Sequence, residues 1–464
     1  MNIEISESAN NASKPFDVAI LGWWYGKNYG SILTYYGLNR AIQSLGLKIL
    51  MVHEALGYNG WRVSWSDDIL SIQFAKRVGY SFNQQEHFSK LPALNTQADT
   101  FVVGSDQLWN PSIGRVNDDL FLDFVNDQNK RVAYGTSFGN ASVAKFKPEF
   151  IDKHSPNLQK FTAISVREKY AIDIARDKFG VSATQVVDPV FLLPRTEYDA
   201  LADRASVHPT GDYLAVFFLD PTPEKKRVAL AVAEKLGLQK IEIIPNPDGD
   251  RNAVAQLFED DNYHIAVEDS PENFLSTYRG AKYVVTDSFH GTVFAIIFEK
   301  PFSSIYNAKR GIDRFESLMD FLGLGASRRI FETDRLNDIT NNKNVSLELD
   351  FSAANRKLEA GRAFSMQWLR EALLSKAGQM RAKLAKRTSS QPAAAGPSVA
   401  KEAIHIEKPA FSTNNSAWRV ETGPDGVQLT LNPGKAVRGN LVWCELPRAL
   451  ALGQYRASVR WSPR

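Results

Sequence analysis

The stretch Lys282–Phe302, KYVVTDSFHGTVFAIIFEKPF, constrains the fold more than any other part of the chain. Tyr283 to Thr286 predicts a short buried strand, and Thr292 to Glu299 predicts the start of an apolar helix. Between them, Asp287-Ser288-Phe289-His290-Gly291 forms a strand-to-helix turn carrying a carboxylate, a hydroxyl and an imidazole. A helix N-terminus presents unpaired backbone N–H groups and a partial positive charge, so it attracts anions. Gly291 would let the backbone approach a ligand closely. A histidine beside such a pocket points to acid/base chemistry on an anionic substrate. The same residues also fit a structural turn in which Ser288 is an N-cap and His290 an ordinary first-turn residue.

The surrounding chain favours an α/β fold. Phe16 to Leu21 predicts a strand, followed by a glycine-containing loop, a helix from about Ile32 to Leu45 and a second strand, Lys48 to Val52. This βαβ opening is typical of a doubly wound parallel sheet. Phe101-Val102-Val103, Arg131 to Tyr134, Ala163 to Val166 and Gln185 to Val187 continue the pattern. A second series begins near Asp212, with strands at Tyr213 to Leu219, Lys240 to Ile244 and Pro301 to Ile305. The expected layout is an arm over 1–15, a Rossmann-like domain over 16–205 and a second over 206–350, facing each other across a cleft.

Residues 351–387 predict a long helix. Leu369, Leu373, Ala377, Met380 and Leu384 share one face, and Arg370, Lys376, Arg381, Lys383, Lys386 and Arg387 make the other basic. Two readings are open: the helix packs back on the domains, or its basic end meets an anionic membrane surface. A linker is expected over 388–400. Residues 401–464 predict a small β-rich segment, incomplete as a sandwich, with strands at Trp418 to Val420, Val427 to Leu431, Asn440 to Leu446 and Tyr455 to Trp461. Its tryptophans, Trp418, Trp443 and Trp461, suit either a core or a sugar-stacking surface.

Composition excludes several classes. A net charge of +3 over 464 residues argues against nucleic acid as the main partner. Cys444 is the only cysteine and the seven histidines show no ligand spacing, which argues against a zinc site built on a local motif though not against a metal held by distant ligands; none is named. The polar, acidic N-terminus does not read as a signal peptide, and the longest apolar runs are too short to span a bilayer. A cytoplasmic location is expected, with peripheral contact at the inner membrane surface left to the basic helix end.

Other strand-end loops concentrate polar groups. Asn28-Tyr29-Gly30-Ser31 follows the first strand and can offer backbone N–H groups and an amide. Ser105, Asp106, Gln107, Trp109 and Asn110 follow a buried strand, and a solvated turn has no need of the tryptophan. Arg167 could clamp a carboxylate or phosphate, or form a salt bridge with Glu168. Asp188-Pro189 reads as structural, ending a strand.

Together the segments NYGSILTYYGL, GSDQLWNP, YGTSFG, SVREKYA, VVDPVFLL and SPENFLSTYRGAKYVVTDSFHGTVFAIIFEKPF resemble the polysaccharide pyruvyl transferase family, in order over roughly residues 16 to 325. The resemblance implies a GT-B-like arrangement of two domains and transfer of pyruvate from phosphoenolpyruvate to two hydroxyls of a sugar as a cyclic ketal, in surface or exopolysaccharide biosynthesis. It implies no cofactor beyond the donor substrate, and an acceptor that is a sugar, oligosaccharide or lipid-linked glycan. It carries the donor-binding arginine onto Arg167, the histidine onto His290, and places Phe289 beside them; Arg314 falls in a matching Arg-containing segment. In that scheme His290 handles the proton, with Asp106 or Asp287 orienting it or activating the acceptor, and the Ser288 to Gly291 helix start binds the donor. Two alternatives stay open: a GT-B-like glycosyltransferase using a nucleotide sugar, and a non-catalytic glycan-binding protein.

Overall fold

The computed structural model describes residues 14–58, 65–114, 116–139, 145–259, 263–306 and 311–375, and the strands at 418–423 and 426–431. Two parallel sheets organise the larger unit. The first contains β1 (Phe16–Leu21), β2 (Ile49–Met51), β3 (Ser81–Phe82), β4 (Ala98–Val103), β5 (Lys130–Ala133), β6 (Ala163–Val166) and β7 (Thr184–Gln185), in the order β3-β2-β1-β4-β5-β6-β7. The second contains β8 (Tyr213–Phe217), β9 (Lys240–Ile244), β10 (Tyr263–Ile265), β11 (Tyr283–Thr286), β12 (Phe302–Ile305) and β13 (Arg329–Ile330), in the order β10-β9-β8-β11-β12-β13. Strands such as β8 and β11 are buried along their whole length, because helices cover both faces of a parallel sheet.

Strand order reverses between β1 and β4 in one sheet and between β8 and β11 in the other. Chain leaving neighbouring strands at such a point diverges to opposite faces and opens a crevice beyond the carboxyl ends. The polar loops at Asn28, Ser105 and Asp287 leave these strands, and that of Arg167 leaves β6.

Helix starts differ from expectation. The first helix spans Tyr29–Gln43, beginning three residues early because Asn28 caps it, its side chain accepting from Ser31 N at 3.1 Å. The helix after β11 spans Phe289–Ile297, so Phe289, His290 and Gly291 form its first turn.

The helix Ser352–Leu374 runs across both halves. Its Asn355 donates to Glu299, beyond β11, while its Ser365 Oγ accepts from Val187 N at 3.0 Å, beyond β7. Trp368 is fully buried against Tyr134. Residues 376–400, which include the remaining basic positions and the expected linker, lie outside the described residues. Within the separate unit 391–464, Trp418–Gly423 and Gly426–Leu431 pair as an antiparallel hairpin. The strands expected at Asn440 to Leu446 and Tyr455 to Trp461 lie outside the described residues.

Candidate active site

A cleft of about 780 Å³ lies between the two halves, lined by Asn28, Ser31, Asp106, Gln107, Asn110, Ser288, Phe289, His290 and Arg314, and also by Lys145 and Lys225. The Tyr29–Gln43 and Phe289–Ile297 helices converge here by their N-termini. They meet so closely that a Cβ on Gly30 would lie 2.4 Å from His290 Nδ1. His290 is mostly buried, and its Nε2 lies 2.9 Å from Thr34 Oγ1 and 3.6 Å from Asp188 Oδ2. Burial alone would raise the Asp188 carboxyl. The imidazole and the Arg167 guanidinium beside it outweigh burial and hold it at about 2.

Asp106 has φ 96°, a backbone conformation that a non-glycine residue adopts only under strain. Its Oδ1 accepts from Gln107 N at 2.8 Å and its Oδ2 from Ser31 Oγ at 3.3 Å. Burial opposes ionisation, but the charges of Arg167, His290 and Arg314 lower its carboxyl below the usual range. A strained, ionised carboxylate in a cleft is a feature of functional sites.

Of the two readings of Arg167, the structure contains the salt bridge with Glu168. Its Nε donates to Glu168 at 2.8 Å, Nη1 to Asp188 at 2.8 Å, and Nη2 reaches Asp106 at 3.5 Å. The guanidinium is thus ringed by carboxylates and only 2 % exposed. It lines a neighbouring pocket of about 310 Å³, walled by Phe191, Phe289, Leu318 and Phe321, rather than the main cleft. Arg314 and Phe289 line both spaces. The guanidinium carbons of Arg167 and Arg314 lie 5.0 and 5.3 Å from the Phe289 ring centre. Burial and the charge of Arg167 lower Arg314.

Several expected site residues serve the scaffold. Trp109 is a correction: it is fully buried, its Nε1 donates to Leu120 O at 3.0 Å, and Phe121, Phe138 and Phe161 surround it. Asp287 does not orient His290. It is fully buried and takes Lys225 Nζ at 2.7 Å and Leu219 N at 2.6 Å, tying the chain after β11 to the chain after β8. Ser105 is buried, with Oγ donating to Gly135 O. Gly291 faces inward: a Cβ there would lie 2.4 Å from Thr286 Oγ1, so tight packing rather than ligand approach requires glycine. Ser288 is the N-cap, accepting from Gly291 N at 3.2 Å. Asn110 and Gln107 bond each other at the cleft wall.

Thr34 and Lys225 are not singled out by the sequence, and Asp188 is read there only as structural. Asp-Pro looks like a strand end, and Thr34 and Lys225 sit in ordinary helical text. Among the described residues no group of His, Cys, Asp and Glu could hold a metal ion, and no helix is long and apolar enough to cross a membrane.

Two parallel sheets meeting at paired switch points across a cleft define the GT-B-like class. A putative UDP-N-acetylglucosamine 2-epimerase from Listeria monocytogenes shares this fold, at TM-score 0.50 and 12% identity over 78% of this chain and 96% of that one. The UDP-GlcNAc 2-epimerase of Methanocaldococcus jannaschii (TM-score 0.46, 14% identity, 74% and 98% covered) and Arabidopsis thaliana UGT89C1 (0.45, 12%, 80% and 100%) are more distant. No curated protein matches the chain. The chain belongs to the polysaccharide pyruvyl transferase family, whose model matches residues 28–309.

Proposed function

We propose that this protein transfers pyruvate from phosphoenolpyruvate to two hydroxyls of a sugar in a surface-polysaccharide precursor. The observation that carries this reading is His290, held between two converging helix N-termini, with Asp188 and Thr34 behind it and Asp106 across from it. In this scheme His290 protonates the methylene carbon of the donor. The adjacent carbon becomes electrophilic, one sugar hydroxyl adds, and phosphate leaves. The second hydroxyl then adds to the same carbon and closes the ketal. Of the two hydroxyl protons, one replaces that given by His290 and the other leaves on phosphate.

Donor anions are held by the free N–H groups of the Phe289–Ile297 helix start and by Arg314. Lys225 also lines the cleft, but its charge is paired with Asp287 at 2.7 Å. Arg167 then acts from behind, fixing Asp106 and Asp188, rather than as an open clamp. Asp106, ionised and strained, takes one hydroxyl proton of the acceptor and passes it to the departing phosphate.

The test is mass spectrometry of candidate glycans after incubation with phosphoenolpyruvate. A product bearing the pyruvyl ketal is expected, and His290→Ala should form it at least about 100-fold more slowly with the fold intact. A wild-type rate in the variant refutes the proton role. Transfer from a nucleotide sugar, with none from phosphoenolpyruvate, overturns the reading.

A further inference from the structure

Asp188 carries more than the strand end its Asp-Pro sequence suggests. Its side chain is 3 % exposed, and each oxygen has its own work. Oδ1 accepts from Val190 N at 3.2 Å, capping the short turn Pro189–Leu192. Oδ2 takes Arg167 Nη1 at 2.8 Å and lies 3.6 Å from His290 Nε2. The next residue, Pro189, is pressed against the first helix, where a Cβ on Gly37 would lie 2.5 Å from Pro189 O. That helix also supplies Thr34, whose hydroxyl lies 2.9 Å from the same Nε2. The carboxylate is therefore packed against the helix whose hydroxyl meets the same edge of the imidazole.

We infer that Asp188 is a positioning residue that fixes the proton on His290 Nε2 and leaves Nδ1, beside Gly30, as the nitrogen that exchanges a proton with substrate. The inference rests on the proton role of His290 in the proposed reaction. The charged groups around the imidazole are Asp106, Arg167 and Asp188 from the first half, and Asp287 and Arg314 from the second. Asp287 is neutralised by Lys225, and Arg167 is shared among Glu168, Asp188 and Asp106. Asp188 is thus the carboxylate on the Nε2 edge, close enough for its charge to decide the tautomer.

Asp188→Asn separates this role from a structural one. Asparagine keeps the volume and an oxygen to cap Val190, and puts an uncharged amide donor where Oδ2 accepts from Arg167 and faces His290. With phosphoenolpyruvate and a glycan acceptor, kcat should fall on the order of 100-fold with KM nearly unchanged. The alkaline limb of the kcat profile should move to lower pH, and Asp188→Glu should recover part of the rate. Imidazole ¹⁵N spectra of the full chain, assigned by His290→Gln, should show neutral His290 protonated at Nε2 in the wild type and a tautomer mixture in Asp188→Asn. Unchanged His290 signals and pH profile in the variant would reduce Asp188 to a cap and overturn the inference. If the variant does not fold, the wild-type spectrum decides alone: a neutral ring protonated at Nδ1 refutes it. A tautomer shift in a protein that forms no ketal supports the positioning role and refutes the reaction.

Discussion

Gly30 leaves room for His290, and that absence of a side chain is as much a part of the site as the imidazole. An added Cβ would lie 2.4 Å from Nδ1, 2.7 Å from Cγ and 2.8 Å from Cβ of His290, all inside van der Waals contact. Either the helix start or the ring must move, and a moved ring strains its contacts with Thr34 and Asp188. Gly30→Ala should therefore reduce kcat by about tenfold or more, since small misplacement of a catalytic group is costly. Steady-state kinetics beside a thermal melt checks this; full activity in the variant would show that the ring position tolerates displacement. His290 was legible in the sequence because Asp-Ser-Phe-His-Gly concentrates functional groups at a strand end. Asp188 was not, because a carboxylate before proline has an adequate local explanation, and its distant partners come from residues 167 and 290. Trp109 misled for the converse reason: an indole after a buried strand looks exposed until Leu120, Phe121 and Phe161 are folded around it. Arg167 had two readings, and the salt bridge with Glu168 is the one the structure contains.

Helix starts, more than helices, build the cleft. Strand cores were readable from short apolar runs, and β1, β6, β9 and β11 fall where the sequence placed them. The starts were harder because capping acts through one side chain and two or three backbone N–H groups, with no periodicity to reveal it. Asn28 and Ser288 each extend their helix backward by three residues and turn cleft-facing loop into first-turn backbone. Ser288→Ala should remove the bond to Gly291 N and cost about 1 kcal/mol of stability. Ser288→Gly should cost only a few tenths of that. Urea unfolding of the pair measures the difference, and equal losses would mean the hydroxyl does something other than cap.

Across the larger unit, acid should unfold the protein in two distinct windows. His154 lies on the helix Pro148–Leu158, 4 % exposed, with its ring stacked 3.7 Å from that of Phe121. Burial lowers it to about 4, outweighing Asp118 nearby. A neutral folded histidine with an ordinary value near 6.5 when unfolded means that the unfolded chain binds more protons between those limits. Stability therefore falls as pH drops from about 6.5 to 4, by on the order of 2 kcal/mol between pH 7 and 5. Asp188, held at about 2, acts lower: its contribution is intact above the ordinary aspartate range and disappears as pH falls towards 2. The buried Glu168 carboxyl, raised by its burial, works in the opposite sense just above the ordinary glutamate range, so it partly masks the first window and not the second. The first window can be isolated. His154→Phe keeps a ring against Phe121 and has no proton to gain, so its urea midpoint should fall less between pH 7 and 5 than the wild-type midpoint does. Equal slopes in the two proteins would assign the loss to another group and remove His154 from the account of acid sensitivity.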